Sequence, residues 1–312
     1  MHFQNAKIGK NQFWRYLLTI FISFICLLVF QVLFALPLIV QKQNLGIDNV
    51  TFQIMFKSFD FSLLQLSKTY ILTMLLTPLA LFFFVFAFLL KLIHKKPLLK
   101  VMTGRDRFHW RRVFIGFVTT VLLLSILNFV FLPHDIFTYQ FDLDLFIPLF
   151  FVAIIVIPLQ STLEEVFMRG YLLQAFGLLF KNKMVSMVLI IILFTTLHFG
   201  NPELNDHFSN FAIQYLLISS VLGLIAVFDD GLEIPIGIHT ANNLFLALFI
   251  SVKGGTFTTD SVFQTTLEEI VLHDNLWLSA LSSTILVALF FYIYKWKFST
   301  LFSKPKGKAV LK

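Results

Sequence analysis

Charge is what this sequence has least of. Only 13% of its 312 residues are Asp, Glu, Lys or Arg, about half the share that keeps the surface of a soluble domain hydrated. Cysteine is scarcer still. Cys26 stands alone, which excludes an intrachain disulfide and a zinc cage built from thiolates. No internal repeat, low-complexity tract or soluble-domain stretch interrupts the chain. Acids are outnumbered by bases, 17 against 24, for a net charge of +7. Nucleic-acid binding needs such cations gathered on one face of a soluble scaffold. Here they fall between apolar blocks, so no nucleic-acid partner is expected.

What fills the space is apolar: 58% of residues are hydrophobic, and 41 are phenylalanine. A helix needs about 20 mostly apolar residues to cross a bilayer core. Eight segments approach that length: Tyr16–Val40, Thr69–Leu90, Val113–Leu132, Leu145–Leu163, Met184–His198, Phe211–Phe228, Leu232–Ile250 and Leu276–Tyr294. The expected class is all-α, a polytopic membrane protein of about eight transmembrane helices in a single integral membrane domain, 1–312. The first segment exceeds the 7–15 apolar residues of a secretory signal and lacks a small-residue cleavage site, so it reads as an uncleaved anchor.

Lys and Arg concentrate at the amino terminus (Lys7, Lys10, Arg15), in the loop 91–112 and in the tail from Lys295. The segments bearing Asp135, Asp142 and Asp144, or Glu203 and Asp206, have no such bias. The positive-inside rule therefore predicts a multi-pass protein of the cell membrane with both termini cytoplasmic. The loop 91–112 reads as a cytoplasmic topology determinant. Its interleaved Leu98, Leu99, Val101, Met102, Phe108 and Trp110 would also suit a surface helix in contact with anionic membrane lipids. Residues 304–312 read as a disordered basic tail.

Ionisable groups within spans cost about 2.5–3.5 kcal/mol each on insertion scales and mark functional sites by default. Three clusters stand out, within a core of roughly 145–250. In Ser161-Thr162-Leu163-Glu164-Glu165-Val166-Phe167-Met168-Arg169, Glu165 and Arg169 are four apart and share a helix face, acid first as helical pairs prefer. Glu164 turns about 100° away. Phe194 and His198 repeat the spacing, with the phenyl ring against the imidazole, and so do His239 and Asn243. A carboxylate near imidazoles can act as general base on a water while His and Asn donors steady an oxyanion. Alternatively, one Glu and two His (Glu164, His198 and His239) can hold Zn2+ with a position open for water. Both arrangements predict hydrolysis, and spacing does not choose between them.

The order Glu164-Glu165-x-x-x-Arg169, Phe194-x-x-x-His198, His239-x-x-x-Asn243 resembles the CAAX prenyl endopeptidase and bacteriocin-processing (Abi) family of intramembrane metalloproteases. Arg169-Gly170-Tyr171 and Ile234-Pro235-Ile236 flank the motifs in similar fashion. The resemblance implies helices around a water-filled intramembrane cavity, and an endopeptidase acting on lipidated or hydrophobic peptides. It implies Glu164 as the base that activates water and His198 as its partner. His239 and Asn243 would form the oxyanion site, with Glu165, Arg169 and Phe194 in support. The glutamate mechanism requires no cofactor. The second reading is a non-catalytic membrane scaffold or bacteriocin-immunity protein on the same fold. A proton-coupled transporter lacks support, since no repeat or paired broken helices occur. Other intramembrane protease types are excluded by absent motifs: no His-Glu-x-x-His, no Gly-x-Ser-Gly and no Gly-x-Gly-Asp.

Overall fold

The computed structural model describes residues 2–274 and 276–302. The tail expected at 304–312 lies outside the described residues. All eight apolar segments form helices: α1 Phe13–Asn44, α2 Lys68–Ile93, α3 Trp110–Ile126 running through a π-turn to Phe131, α4 from Leu143, α5 Lys183–Leu197, α6 Leu204–Asp229, α7 Glu233–Leu248 and α8 Trp277–Tyr294. Six of them are long and apolar enough to cross a membrane. The other two, α5 and α7, have 15 and 16 residues. The exterior is greasy throughout, with Phe13, Trp110, Phe114, Val130 and Tyr292 all more than half exposed, as a lipid-facing surface requires.

The fourth helix departs most from expectation. It does not end at Leu163. The α-helix Leu143–Glu165 passes through Pro148 and Pro158, continues as the π-segment Val166–Leu172, and resumes as α-helix over Leu173–Phe180. Asp142 starts it by accepting hydrogen bonds from the Asp144 and Leu145 amides, satisfying donors that the first turn leaves orphaned. Lys181, in the left-handed region at φ 53°, ends it, and Asn182 caps α5. The result is a helical hairpin that reverses near Lys181. Eleven residues separate Arg169 from Phe180 and eleven separate Lys183 from Phe194. At about 1.5 Å per residue each arm covers about 16 Å, so α5 brings Phe194 back level with Arg169.

Helix α7 sits at the centre, packed chiefly on α3 and α4. Glycine makes the α3–α7 crossing close. A Cβ on Gly237 would stand 2.1 Å from the Val113 carbonyl oxygen, and one on Gly116 would stand 2.7 Å from that of Ile234. Such backbone approach is how membrane helices gain packing energy where lipid offers no hydrophobic drive. A three-stranded sheet in the order β1-β3-β2 (β1 Thr138–Tyr139, β2 Ile250–Lys253, β3 Phe263–Thr266) caps the end of the bundle away from the basic loop.

That loop is ordered and clamps the α6–α7 junction. Arg105 pairs with Asp229 and Glu233 at 3.1 Å each. Arg112 pairs with Asp229 and lies 4.1 Å over the Tyr294 ring. The Leu232 amide donates to the Met102 carbonyl at 2.8 Å. A cavity of about 440 Å3 opens beside it, lined by Gly104, Arg105, Asp106, Arg107, His109 and Asp230. None of the three motifs contributes to that lining.

Candidate active site

The three motifs converge from α4, α5 and α7. Glu165 and Arg169 are fully buried and joined at 2.9 Å. Two charges at membrane depth persist only when paired and hydrogen-bonded, and the structure supplies partners beyond the pair itself. Arg169 Nη2 donates to Ser219 Oγ at 2.9 Å, and its guanidinium carbon lies 3.9 Å from the Phe194 ring centroid. Phe194 thus covers the cation as well as the neighbouring imidazole of His198, 4.3 Å away. The π-segment begins immediately after Glu165 and carries Arg169. Such wide turns recur at functional sites.

His239 is the link between α7 and α4. Its Nδ1 lies 2.8 Å from Glu165 Oε1, and its Nε2 lies 3.6 Å from Glu164 Oε2. An ionised Glu165 can only accept, so Nδ1 carries the hydrogen. In the neutral ring, Nε2 then presents its lone pair to Glu164. The two adjacent carboxylates therefore hold different positions. Glu165 is enclosed by Arg169 and His239. The Glu164 side chain keeps 22% of its surface exposed, accepts at Oε1 from Gln160 Nε2, and has no hydrogen-bond partner for Oε2 among the described residues. Glu165 Oε2 is likewise without a hydrogen-bond partner among the described residues, so exposure and not hydrogen bonding separates the two carboxylates.

Asn243 lies one turn beyond His239. Its Nδ2 makes two long contacts, 3.3 Å to Gln160 Oε1 and 3.4 Å to Ser161 Oγ. His198 is held differently. Its Nδ1 is 2.8 Å from the Phe194 carbonyl oxygen, one turn back on its own helix, and its ring stacks against Tyr215 of α6 at 4.5 Å. The histidine in contact with Glu164 is therefore His239. Sequence reasoning missed Gln160, Ser219 and Tyr215. Gln160 stands four residues before Glu164, the same spacing that links Glu165 to Arg169, and could have been found by it. Ser219 and Tyr215 are lone polar residues on α6 and carry no such signal.

Glu164 and His239 place two donors within reach of one ion. Catalytic zinc takes three protein ligands. Among the described residues no group of three His, Cys, Asp or Glu side chains is arranged to hold a metal. The donors brought together here, Glu164 and His239, fall one short of that set.

The fold and the site define a multi-pass membrane protein that brings a carboxylate pair, an arginine and an imidazole together among its central helices. Comparison with known proteins narrows the class. Residues 144–245, a third of the chain, match the family described as type II CAAX prenyl endopeptidase Rce1-like, and all three motifs fall within that stretch. A curated relative, the uncharacterized protein YyaK of Bacillus subtilis (strain 168), is 36% identical over 170 residues, 54% of this chain and 57% of that one. The match thus spans little more than half of the relative. No solved structure matches.

Proposed function

We propose that the chain is an intramembrane endopeptidase that hydrolyses a peptide bond in a hydrophobic or lipidated peptide, using water activated by Glu164. One observation carries this reading: His239 stands between two neighbouring carboxylates, Glu165 fully buried against Arg169 and Glu164 with part of its side chain still exposed. Glu164 Oε2 takes the proton of a water that attacks the scissile carbonyl. Gln160 holds the other carboxylate oxygen, so the base presents one defined edge. His239, oriented by Glu165 as a carboxylate orients an imidazole in other hydrolases, accepts the proton onto Nε2. The resulting imidazolium is stabilised by Glu165 and can pass the proton to the leaving amine. The Asn243 amide, loosely held by Gln160 and Ser161, serves as a donor to the oxyanion. Arg169 keeps Glu165 ionised, and Phe194 shields that pair from competing polar groups.

The distribution of Lys and Arg supports both termini in the cytoplasm. Helix α4 continues beyond Glu164 to Phe180, so the site lies along the helix and not at its end.

New protein termini in membranes of cells making the wild type should be compared with those from Glu164→Gln at matched expression. Termini that vanish with the variant are expected, and they would name the substrate. Identical termini would instead leave a scaffold or immunity protein on this fold.

A further inference from the structure

The strongest unassigned arrangement lies around His198. Its Nδ1 faces the Phe194 carbonyl at 2.8 Å. A carbonyl only accepts, so Nδ1 bears the hydrogen and Nε2 is left as the basic nitrogen. The Phe194 and Tyr215 rings both stack on the imidazole, with centroids 4.3 and 4.5 Å away and interplanar angles of 39° and 31°. Two rings at those spacings cannot share one face, so the imidazole is held between them.

Phe194 belongs to the same helix as His198, one turn away. Tyr215 comes from α6 and is fixed from a third direction. Its Oη donates to Glu203 Oε1 and accepts from Asn201 Nδ2 at 2.6 Å. Glu203 is only 7% exposed. Its Oε2 accepts from the Thr256 backbone amide at 3.1 Å and from Thr256 Oγ1 at 3.0 Å. Asn201 closes the circuit, since its backbone amide donates to the His198 carbonyl at 3.0 Å. A buried carboxylate survives only with its lone pairs filled. Here the fillers are Tyr215, Asn201 and the segment between β2 and β3.

We infer that Tyr215 and Glu203 are positioning residues for His198: the Glu203 carboxylate, anchored on Thr256, pins the Tyr215 ring so that His198 stays in its Nδ1–H form, leaving its basic Nε2 as a second proton acceptor in addition to the Glu164–His239 pair. The inference rests on the hydrolytic reading of the site. It links the strand-capped end of the bundle to the chemistry, because Thr256 follows β2 and β2 follows α7, the helix bearing His239 and Asn243.

The test is read on the histidine itself. Full-length protein carrying 15N-labelled histidine in detergent micelles gives ring-nitrogen signals, and loss of one set in His198→Gln assigns them. The wild type is expected to show a single Nδ1–H form for His198. Tyr215→Leu is expected to mix the two neutral forms and to lower Glu164-dependent cleavage about tenfold or more. Tyr215→Phe keeps the ring and its packing but loses the anchor. It should shift the His198 signals and lower cleavage about threefold, and it stands in if the leucine variant does not fold. His198 signals unchanged in folded variants would overturn the inference, whatever the activity. Signals altered with cleavage intact would uphold the positioning and show that His198 adds nothing to the hydrolysis carried by Glu164 and His239.

Discussion

Glu165 and His239 meet at 2.8 Å across the α4–α7 contact, and through this bond the first and third motifs become one site. Glu165 serves two masters, Arg169 along its own helix and His239 across the interface. Neither bond could persist in lipid without the other charges nearby. Removing any member leaves a buried group without its counterpart.

Arg169→Ala is therefore expected to lose about 3–5 kcal/mol, the usual cost of stranding one partner of a buried pair. Glu165→Gln combined with Arg169→Met removes both charges at similar volume and should recover most of that stability while remaining inactive. Yield of monodisperse protein after detergent extraction and its thermal midpoint report the first effect. A double variant no more stable than Arg169→Ala would show that the pair is not the cause.

Asn243→Ala should slow cleavage by about 100- to 1000-fold, the range found for deleting one oxyanion donor, with little loss of folded protein, because its own contacts are long. His239→Ala should cost more, since it removes a proton carrier as well as the partner of Glu165. Rates on the substrate named by the terminus comparison decide both. Equal and small effects would remove Asn243 and His239 from the chemistry.

Gly237→Ala places a methyl group 2.1 Å from the Val113 carbonyl oxygen, a clash with backbone that no rotamer relieves. A loss of about 1–3 kcal/mol or more is expected from such overpacking, together with loss of activity as His239 is displaced. Gly200→Ala is the control, since nothing lies within 4 Å of its added methyl. Equal thermal midpoints for the two variants would refute the close crossing.

Acid should destabilise the protein through His94. This ring is 1% exposed, with Nδ1 on the Lys10 carbonyl and Nε2 on Tyr171 Oη, each at 2.9 Å. Burial pushes its pKa down to about 4, so the folded state resists a proton that the unfolded chain accepts near 6.5. The stabilisation is complete above about pH 6.5 and declines as pH falls towards 4, by up to about 3 kcal/mol. Lys96, held down to about 8 by burial, titrates above this window. Thermal midpoints between pH 7 and 4.5 should fall more steeply for the wild type than for His94→Phe. Parallel slopes would acquit His94.

Contacts within one helix were the legible part of the site. Glu165 with Arg169 and Phe194 with His198 follow from a spacing of four and 3.6 residues per turn. The apolar segments announced the helices just as directly. The end of α4 was not legible, because Arg169 looks like the charge that closes a span. Only its burial against Glu165, Ser219 and Phe194 shows that the helix runs on to Phe180. The meeting of Glu164 with His239 was equally hidden. It depends on how α7 packs between α3 and α4, which no periodicity encodes; on the α3 side Gly116 and Gly237 set the approach.

The tail of α4 acts as a depth gauge. Beyond Arg169, Tyr171 is fastened to His94, and Gln174 to Lys96 at 3.2 Å and to the Lys100 carbonyl at 2.9 Å. Seven residues, or about 10 Å of helix, separate Glu164 from the first of these fastenings. The Glu164 carboxylate is thus measured from a protein anchorage at the basic end and not from the lipid around it. A bilayer that thickens or thins can slide past the outer faces while the distance between Glu164 and that anchorage stays the same.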